Sequence, residues 1–202
     1  MEQPINSRIA LPFWLSGSFA LVASGAALSS GKLIGVMHSV RNADSSGLLS
    51  VGRGIAEANQ PVLVALYVSI ICGALAAILR VRSAKSNPPP PAWLSLAGTG
   101  LSLFPVMVLW IAESMMLNAL PLSREGVVPG ASTIEQFLFV SLGGGLVLAV
   151  ILLVSSILRV PSRTTPKRSF VGALLFGMSA LIVAAFAFQL RNSWIEDLYR
   201  QL

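Results

Sequence analysis

The sequence predicts an all-α, polytopic membrane protein with about five transmembrane helices, and two observations lead to this class. Hydrophobic residues make up 54% of the 202 residues and charged residues only 11%, with a mean hydropathy of +0.77. A water-soluble domain needs more charge than this to cover its surface. The chain also contains long apolar runs, each close to the roughly 20 residues that a helix needs to cross a bilayer core.

These apolar runs predict the individual helices. The alternating segments of about ten residues that mark transmembrane strands do not occur. An ionisable residue interrupts two of the runs: Lys32 lies near the end of the first, and Glu113 lies within the third. The predicted spans are residues 11–34, 61–79, 92–117, 137–158 and 170–190.

Two sequence motifs recur at one common spacing. Pro-x-Trp-Leu-Ser at residues 12–16 returns at 91–95, and Ile-Leu-Arg-Val-x-Ser at 78–83 returns at 157–162. Both repeats are displaced by the same 79 positions, without a gap. A shared displacement at both ends of a long unit indicates that a membrane helical hairpin was duplicated.

The repeat divides the chain into four parts. Residues 1–86 and 92–165 are the two hairpin units, and residues 166–202 are a fifth helix with an amphipathic tail. Residues 87–91, Asn-Pro-Pro-Pro-Pro, predict a stiff extended linker, since consecutive prolines favour the polyproline conformation. The tail from Arg191 predicts an interfacial helix on the outer face, or a docking segment for a partner.

Charge in the connectors predicts the orientation. Residues 80–91 and 159–169 contain arginine and lysine but no acid, whereas the other two connectors contain both signs. The positive-inside rule therefore places these two connectors in the cytoplasm, with the N-terminus inside and the C-terminus outside. Both hairpins then face the same way, unlike the inverted repeats of many transporters. Because the basic residues sit in connectors, the net charge of +6 does not predict nucleic-acid binding.

The sequence offers no set of residues for enzyme chemistry. A single cysteine, Cys72, and a single histidine, His38, make a disulfide within the chain impossible and give no basis for a metal site. The HExxH, Walker and GxSxG patterns are also missing from the sequence. We therefore predict no catalytic residues, no cofactor and no bound metal.

Lys32 and Glu113 are the candidate intramembrane charges. Lys32 follows Trp14 by 18 residues and Glu113 follows Trp93 by 20, so the repeat places them at nearly the same depth. They could pair inside the bundle or line a pore. Alternatively, both lie near the interface and extend to water.

Glu57 and Glu135 are the acids expected at the start of the second and fourth spans. Shifted by the repeat, the two fall one position apart. A carboxylate in the first turn of a helix interacts favourably with the helix dipole, which makes capping the simplest interpretation.

The first hairpin resembles the MotA/TolQ/ExbB proton-channel family. The resemblance rests on Leu-Ile-Gly-Val-Met-His-Ser-Val at residues 33–40 and Gly-Ile-Ala-Glu-Ala at 54–58, and it covers about residues 14–81. The family hairpin also runs in, out, in. The resemblance implies a bacterial inner-membrane protein that assembles as an oligomer or with other membrane subunits. It also implies that Glu57 lies on the ion path.

The chain departs from this family at two polar positions. Lys32 stands where the family has a threonine beside a glycine, and Val62 stands where a pore threonine follows the glutamate. These changes favour a membrane scaffold subunit that does not conduct protons. The alternatives are an active ion channel that uses Glu57, or a transporter or membrane enzyme, which would need a polar site at mid-membrane. Small residues such as Gly143–Gly145 indicate close helix packing, either within the chain or between subunits.

Overall fold

The computed structural model describes residues 6–42, 48–82, 92–119, 130–157 and 167–200, and every one of these segments is helical. This confirms the predicted all-α class. The residues of the predicted linker, 87–91, lie outside the described segments. The helices are α1 (Asn6–Asn42), α2 (Leu48–Ala58), α3 (Gln60–Arg82), α4 (Ala92–Ala119), α5 (Ala131–Ile157) and α6 (Lys167–Arg200).

Four stretches of the described chain are long and apolar enough to cross a membrane. They are Ser18–Val40, Val51–Leu75, Leu96–Ala119 and Ala131–Leu152. The second of them includes most of α2 and begins ten residues before the predicted span. The fifth predicted span, residues 170–190, falls within α6, but the side chains of residues 170–176 lie outside the described part. That span therefore stays a prediction.

The helices form a bundle with α1 at its centre. Helix α1 packs against α3, α4 and α5, and α4 also packs against α5. Helix α6 lies against both α3 and α4 and, near its end, against α2. The neighbours α1/α3 and α4/α5 are thus the two pairs expected of successive hairpins. That one pair is a copy of the other stays a prediction.

The predicted amphipathic tail is continuous with the fifth helix, and its position at the membrane interface stays a prediction. Helix α6 continues without a break to Arg200. Asn192 and Ile195 are buried, while Trp194 is 57% exposed. The described start of the tail, as far as Ile195, therefore extends the bundle and presents one buried face to it, because its apolar and polar residues continue the helical spacing of α6.

Two glycines allow α1 to approach its neighbours closely. A β-carbon at Gly145 on α5 would lie 2.7 Å from the carbonyl oxygen of Ala23 and 3.0 Å from the β-carbon of Ala27. A β-carbon at Gly25 on α1 would lie 2.9 Å from the carbonyl oxygen of Pro61. These small residues therefore serve packing within the chain, the first of the two roles predicted for them.

A break between α2 and α3 sets the direction of one polar side chain. Pro61 has no N–H to donate to the carbonyl four residues earlier, and its ring crowds that carbonyl, so the helix is interrupted between them, at Asn59. The N–H of Val62 donates instead to Oγ of the buried Ser29, at 3.1 Å. This hydrogen bond connects the interrupted helix to α1. Close to it in the sequence, the side chain of Asn59 is fully buried in the bundle.

Candidate functional site

A buried carboxylate lies where α4, α6 and the junction of α2 and α3 meet. Glu113 on α4 is fully inaccessible to solvent, within a span whose other residues are mostly apolar. One of its oxygens, Oε1, accepts a hydrogen bond of 2.7 Å from Nδ2 of Asn59. The other, Oε2, lies 3.4 Å from Nε of Arg191 on α6. An acid at this depth requires such partners, because an isolated charge in a low-dielectric interior is strongly disfavoured.

The contact between Glu113 and Arg191 is electrostatic rather than a formed hydrogen bond. Neither Oε2 nor Nε has a hydrogen-bond partner among the described residues, although the pair lies within ion-pair distance. The side chain of Arg191 is 12% exposed and that of Glu113 is inaccessible. The acid and the base lie close enough for opposite charges to attract, and a buried charge is tolerable only beside such a partner.

The guanidinium of Arg191 is held by two further groups on α4. Its Nη2 donates a hydrogen bond of 2.9 Å to Oγ of Ser114. Its central carbon lies 4.3 Å from the centroid of the Trp110 ring, and Phe188 packs edge-on against the same ring with centroids 4.9 Å apart. A planar cation can contact an acid, a hydroxyl and an aromatic face together, which a lysine ammonium does less well.

Helical spacing explains why these groups converge. Trp110, Glu113 and Ser114 are three and four residues apart on α4, so they lie on one face of that helix. Phe188 and Arg191 have the same relation on α6. The two faces meet where α4 and α6 pack, and the break before α3 adds Asn59 from the third side. We call this set the charge network: Asn59, Trp110, Glu113, Ser114, Phe188 and Arg191.

Lys32 and Glu113, which the sequence analysis considered as a possible pair, do not contact each other. Lys32 is exposed on α1, and the structure pairs Glu113 with Arg191 instead. The equal depth inferred from the repeat did not bring the two side chains together, because their helices direct them to different sides. Lys32 is thus an exposed side chain, as the second interpretation expected. Glu113 is a buried acid with a basic partner, as the first expected, but the partner is a different residue.

The two acids expected to begin spans occupy other positions. Glu57 is the penultimate residue of α2 and its side chain is 66% exposed. It accepts a hydrogen bond of 3.0 Å from Nε of Arg53, one turn earlier. Glu135 is half-buried and is the fifth residue of α5, because that helix begins at Ala131 rather than near residue 137. Neither acid lies in the first turn of a helix, so the dipole interaction proposed for them is weak.

Sequence reasoning did not single out Asn59, Arg191 or Trp110 as site residues. Arg191 was assigned to the tail, although it is the first charge after the fifth apolar run and lies at the same end of the bundle as Glu113. Asn59 directly precedes Gln60-Pro61, a pair that favours a break. Trp110 stands one turn before Glu113 on the same face of α4. At this spacing one cation can contact both the aromatic ring and the carboxylate.

The exposed position of Lys32 predicts that its charge contributes little to stability. We expect Lys32→Met to change the free energy of unfolding by less than about 0.5 kcal/mol, as for most surface substitutions. The measurement is a titration of the reconstituted protein with SDS in mixed micelles, followed by circular dichroism. A loss several times larger would mean that Lys32 has an acidic partner after all.

The described part of the chain is thus all-α, with four stretches long and apolar enough to cross a membrane and a buried acid and base within ion-pair distance. No protein-family model, curated protein or solved structure matches the chain.

Proposed function

We propose that the protein is a multi-pass scaffold subunit of a bacterial inner-membrane complex, similar in its first hairpin to MotA/TolQ/ExbB channel proteins but not proton-conducting. The main support for the proposal is that the carboxylate of Glu113 contacts Asn59 with one oxygen and Arg191 with the other. A carboxylate that carries protons must exchange them along a polar route. Glu113 is instead opposed by a guanidinium, which does not lose its proton in proteins.

The surroundings of Glu57 support the same proposal. In the channel family the corresponding glutamate and a threonine five residues later line one path. Here Glu57 faces outward and bonds to Arg53, while Val62 is fully buried in the core. The two positions face different environments in the protomer, so they do not form one polar surface.

Exposed small residues provide surfaces on which a scaffold could bind other subunits. A β-carbon at Gly35 on α1, or at Gly143 or Gly144 on α5, would meet nothing within 4 Å. In lipid, open glycine positions let a second helix approach closely, and packing rather than hydrophobicity drives association. We therefore expect the protein to occur in a homo-oligomer or with other membrane subunits.

The test combines proton flux with the mass of the complex. Liposomes containing the purified protein and a pH-sensitive dye should show no more proton flux than protein-free liposomes at any pH. The gently solubilised complex should have a mass well above the 21.3 kDa of one chain. Flux that Glu57→Gln abolishes would instead establish the channel alternative, and a lone monomer without partners would contradict the scaffold.

A further inference from the structure

An apolar groove of about 440 Å³ runs along the outside of the bundle between α4 and α6. Its α4 wall includes Leu103, Met107 and Trp110, and its α6 wall includes several small residues, Ala180 and Ala184 among them. These two alanines are four residues apart and therefore lie on one face of α6. Their small side chains leave space that larger side chains would fill. The volume falls within the range of small-molecule pockets in proteins.

The groove opens sideways toward the surrounding bilayer. Met107 and Val183, which line it, are 64% and 67% exposed. Its α4 residues extend from 103 to 111 and its α6 residues from 179 to 188, which corresponds to a length of roughly 12 Å at 1.5 Å per residue. An elongated apolar groove of this length can hold one extended hydrocarbon chain.

One end of the groove meets the charge network. Trp110 and Phe188 are lining residues, and Arg191 stacks on Trp110 just beyond them. On both helices the lining residues lie on the same side of Glu113 and Arg191 along the helix axis. The groove therefore ends beside the guanidinium of Arg191 and is apolar over the rest of its length. Trp194, exposed three residues beyond Arg191, marks that end as the interfacial one, because tryptophan favours the membrane–water boundary.

Arg191 keeps donors for an anion at this end. A guanidinium has five N–H donors, and the described residues take one of them in a hydrogen bond, that of Ser114. The side chain of Arg191 is 12% exposed, so part of it reaches the surface. Guanidinium groups bind phosphate oxygens well because the donors match the spacing of the oxygens.

We propose that the α4/α6 groove binds one acyl chain of an anionic bilayer phospholipid whose phosphate lies at Arg191. The chain fills the apolar channel and the phosphate contacts the donors that Glu113 and Ser114 leave open. The bilayer supplies this ligand directly, and the groove faces it. A transmembrane helix of another subunit is the competing occupant.

Quenching of Trp110 fluorescence by brominated lipids tests the proposal. Trp14, Trp93 and Trp194 are replaced by phenylalanine, so that Trp110 is the one remaining tryptophan, at the groove. The protein is placed in phosphatidylcholine nanodiscs with either dibrominated phosphatidylglycerol or dibrominated phosphatidylcholine. We expect saturable quenching, with an apparent affinity about fivefold higher for phosphatidylglycerol, the effect of one arginine near an anionic headgroup.

Two groove-filling variants and one control complete the experiment. Ala184→Phe and, as a smaller change, Ala180→Leu should reduce quenching by phosphatidylglycerol to the level of phosphatidylcholine. Ala149→Phe, at an equally half-buried alanine on α5, should leave it unchanged. Quenching that follows mole fraction, is equal for both lipids and ignores the groove variants would overturn the proposal. So would the absence of quenching by either lipid, which would mean that protein covers the groove.

Discussion

Replacing Arg191 with methionine is expected to destabilise the bundle by about 3 kcal/mol. The substitution leaves Glu113 fully buried, with Asn59 as its remaining described partner and no positive charge opposite Oε2. Methionine fills similar space, so the loss comes from the unpaired charge and the lost contact with Trp110 rather than from a cavity. The measurement is the free energy of unfolding from SDS titration in mixed micelles.

A second substitution separates the charge from the rest of the side chain. Glu113→Gln in the Arg191→Met background should recover most of the lost stability, because a neutral amide can keep the contact with Asn59 without an opposing charge. The double-mutant cycle should therefore show a coupling of more than about 1 kcal/mol. Simple additivity of the two changes would mean that the 3.4 Å contact contributes no pairing energy.

The chain provides a matched control in the exposed pair on α2. Arg53 and Glu57 form an ion pair of 3.0 Å, shorter than that of Arg191 and Glu113, but their side chains are 81% and 66% exposed. Arg53→Met should cost no more than about 0.5 kcal/mol, because solvent screens the pair. If both arginine substitutions had the same effect, burial would not be what gives Arg191 its importance.

The helices could be predicted from the sequence because lipid imposes a length and a composition on any chain that crosses it. Apolar runs therefore located α1, α4 and α5 and the class of the protein. The ends of helices depend instead on local geometry. The break at Asn59 follows from Pro61, yet the apolar stretch extends through it back to Val51, ten residues before the predicted start of the second span.

The site could be predicted only in part, because the sequence indicates how far along a span a residue lies more readily than which way its side chain points. Glu113 was identified since an acid inside an apolar run stands out. The partner of Glu113 depends on which face of each helix points into the bundle. A small rotation of a helix about its axis changes that face. Lys32, at a similar depth on α1, faces outward, whereas Arg191 on α6 faces the bundle. That orientation is set by packing between helices, which the apolar runs do not encode.

Placing a methyl group at Gly145 is expected to destabilise the bundle by about 2 kcal/mol, the cost typical of overpacking a tight core. In Gly145→Ala the new β-carbon would lie 2.7 Å from the carbonyl oxygen of Ala23, on the backbone of α1. A backbone oxygen in a long helix cannot move aside as a side chain can. Helix α5 must therefore shift away from α1, and the contacts on either side of Gly145 loosen with it.

The neighbouring glycine Gly143 tests this reasoning within the same helix. A β-carbon there would meet nothing within 4 Å. Alanine is favoured over glycine in a helix by up to about 1 kcal/mol, so Gly143→Ala should be neutral or stabilising in the same unfolding titration. Two identical substitutions two residues apart are thus expected to have opposite effects. If Gly145→Ala instead behaved like Gly143→Ala, the close approach of α1 and α5 would not exist in the folded protein, and the central position of α1 would have to be abandoned.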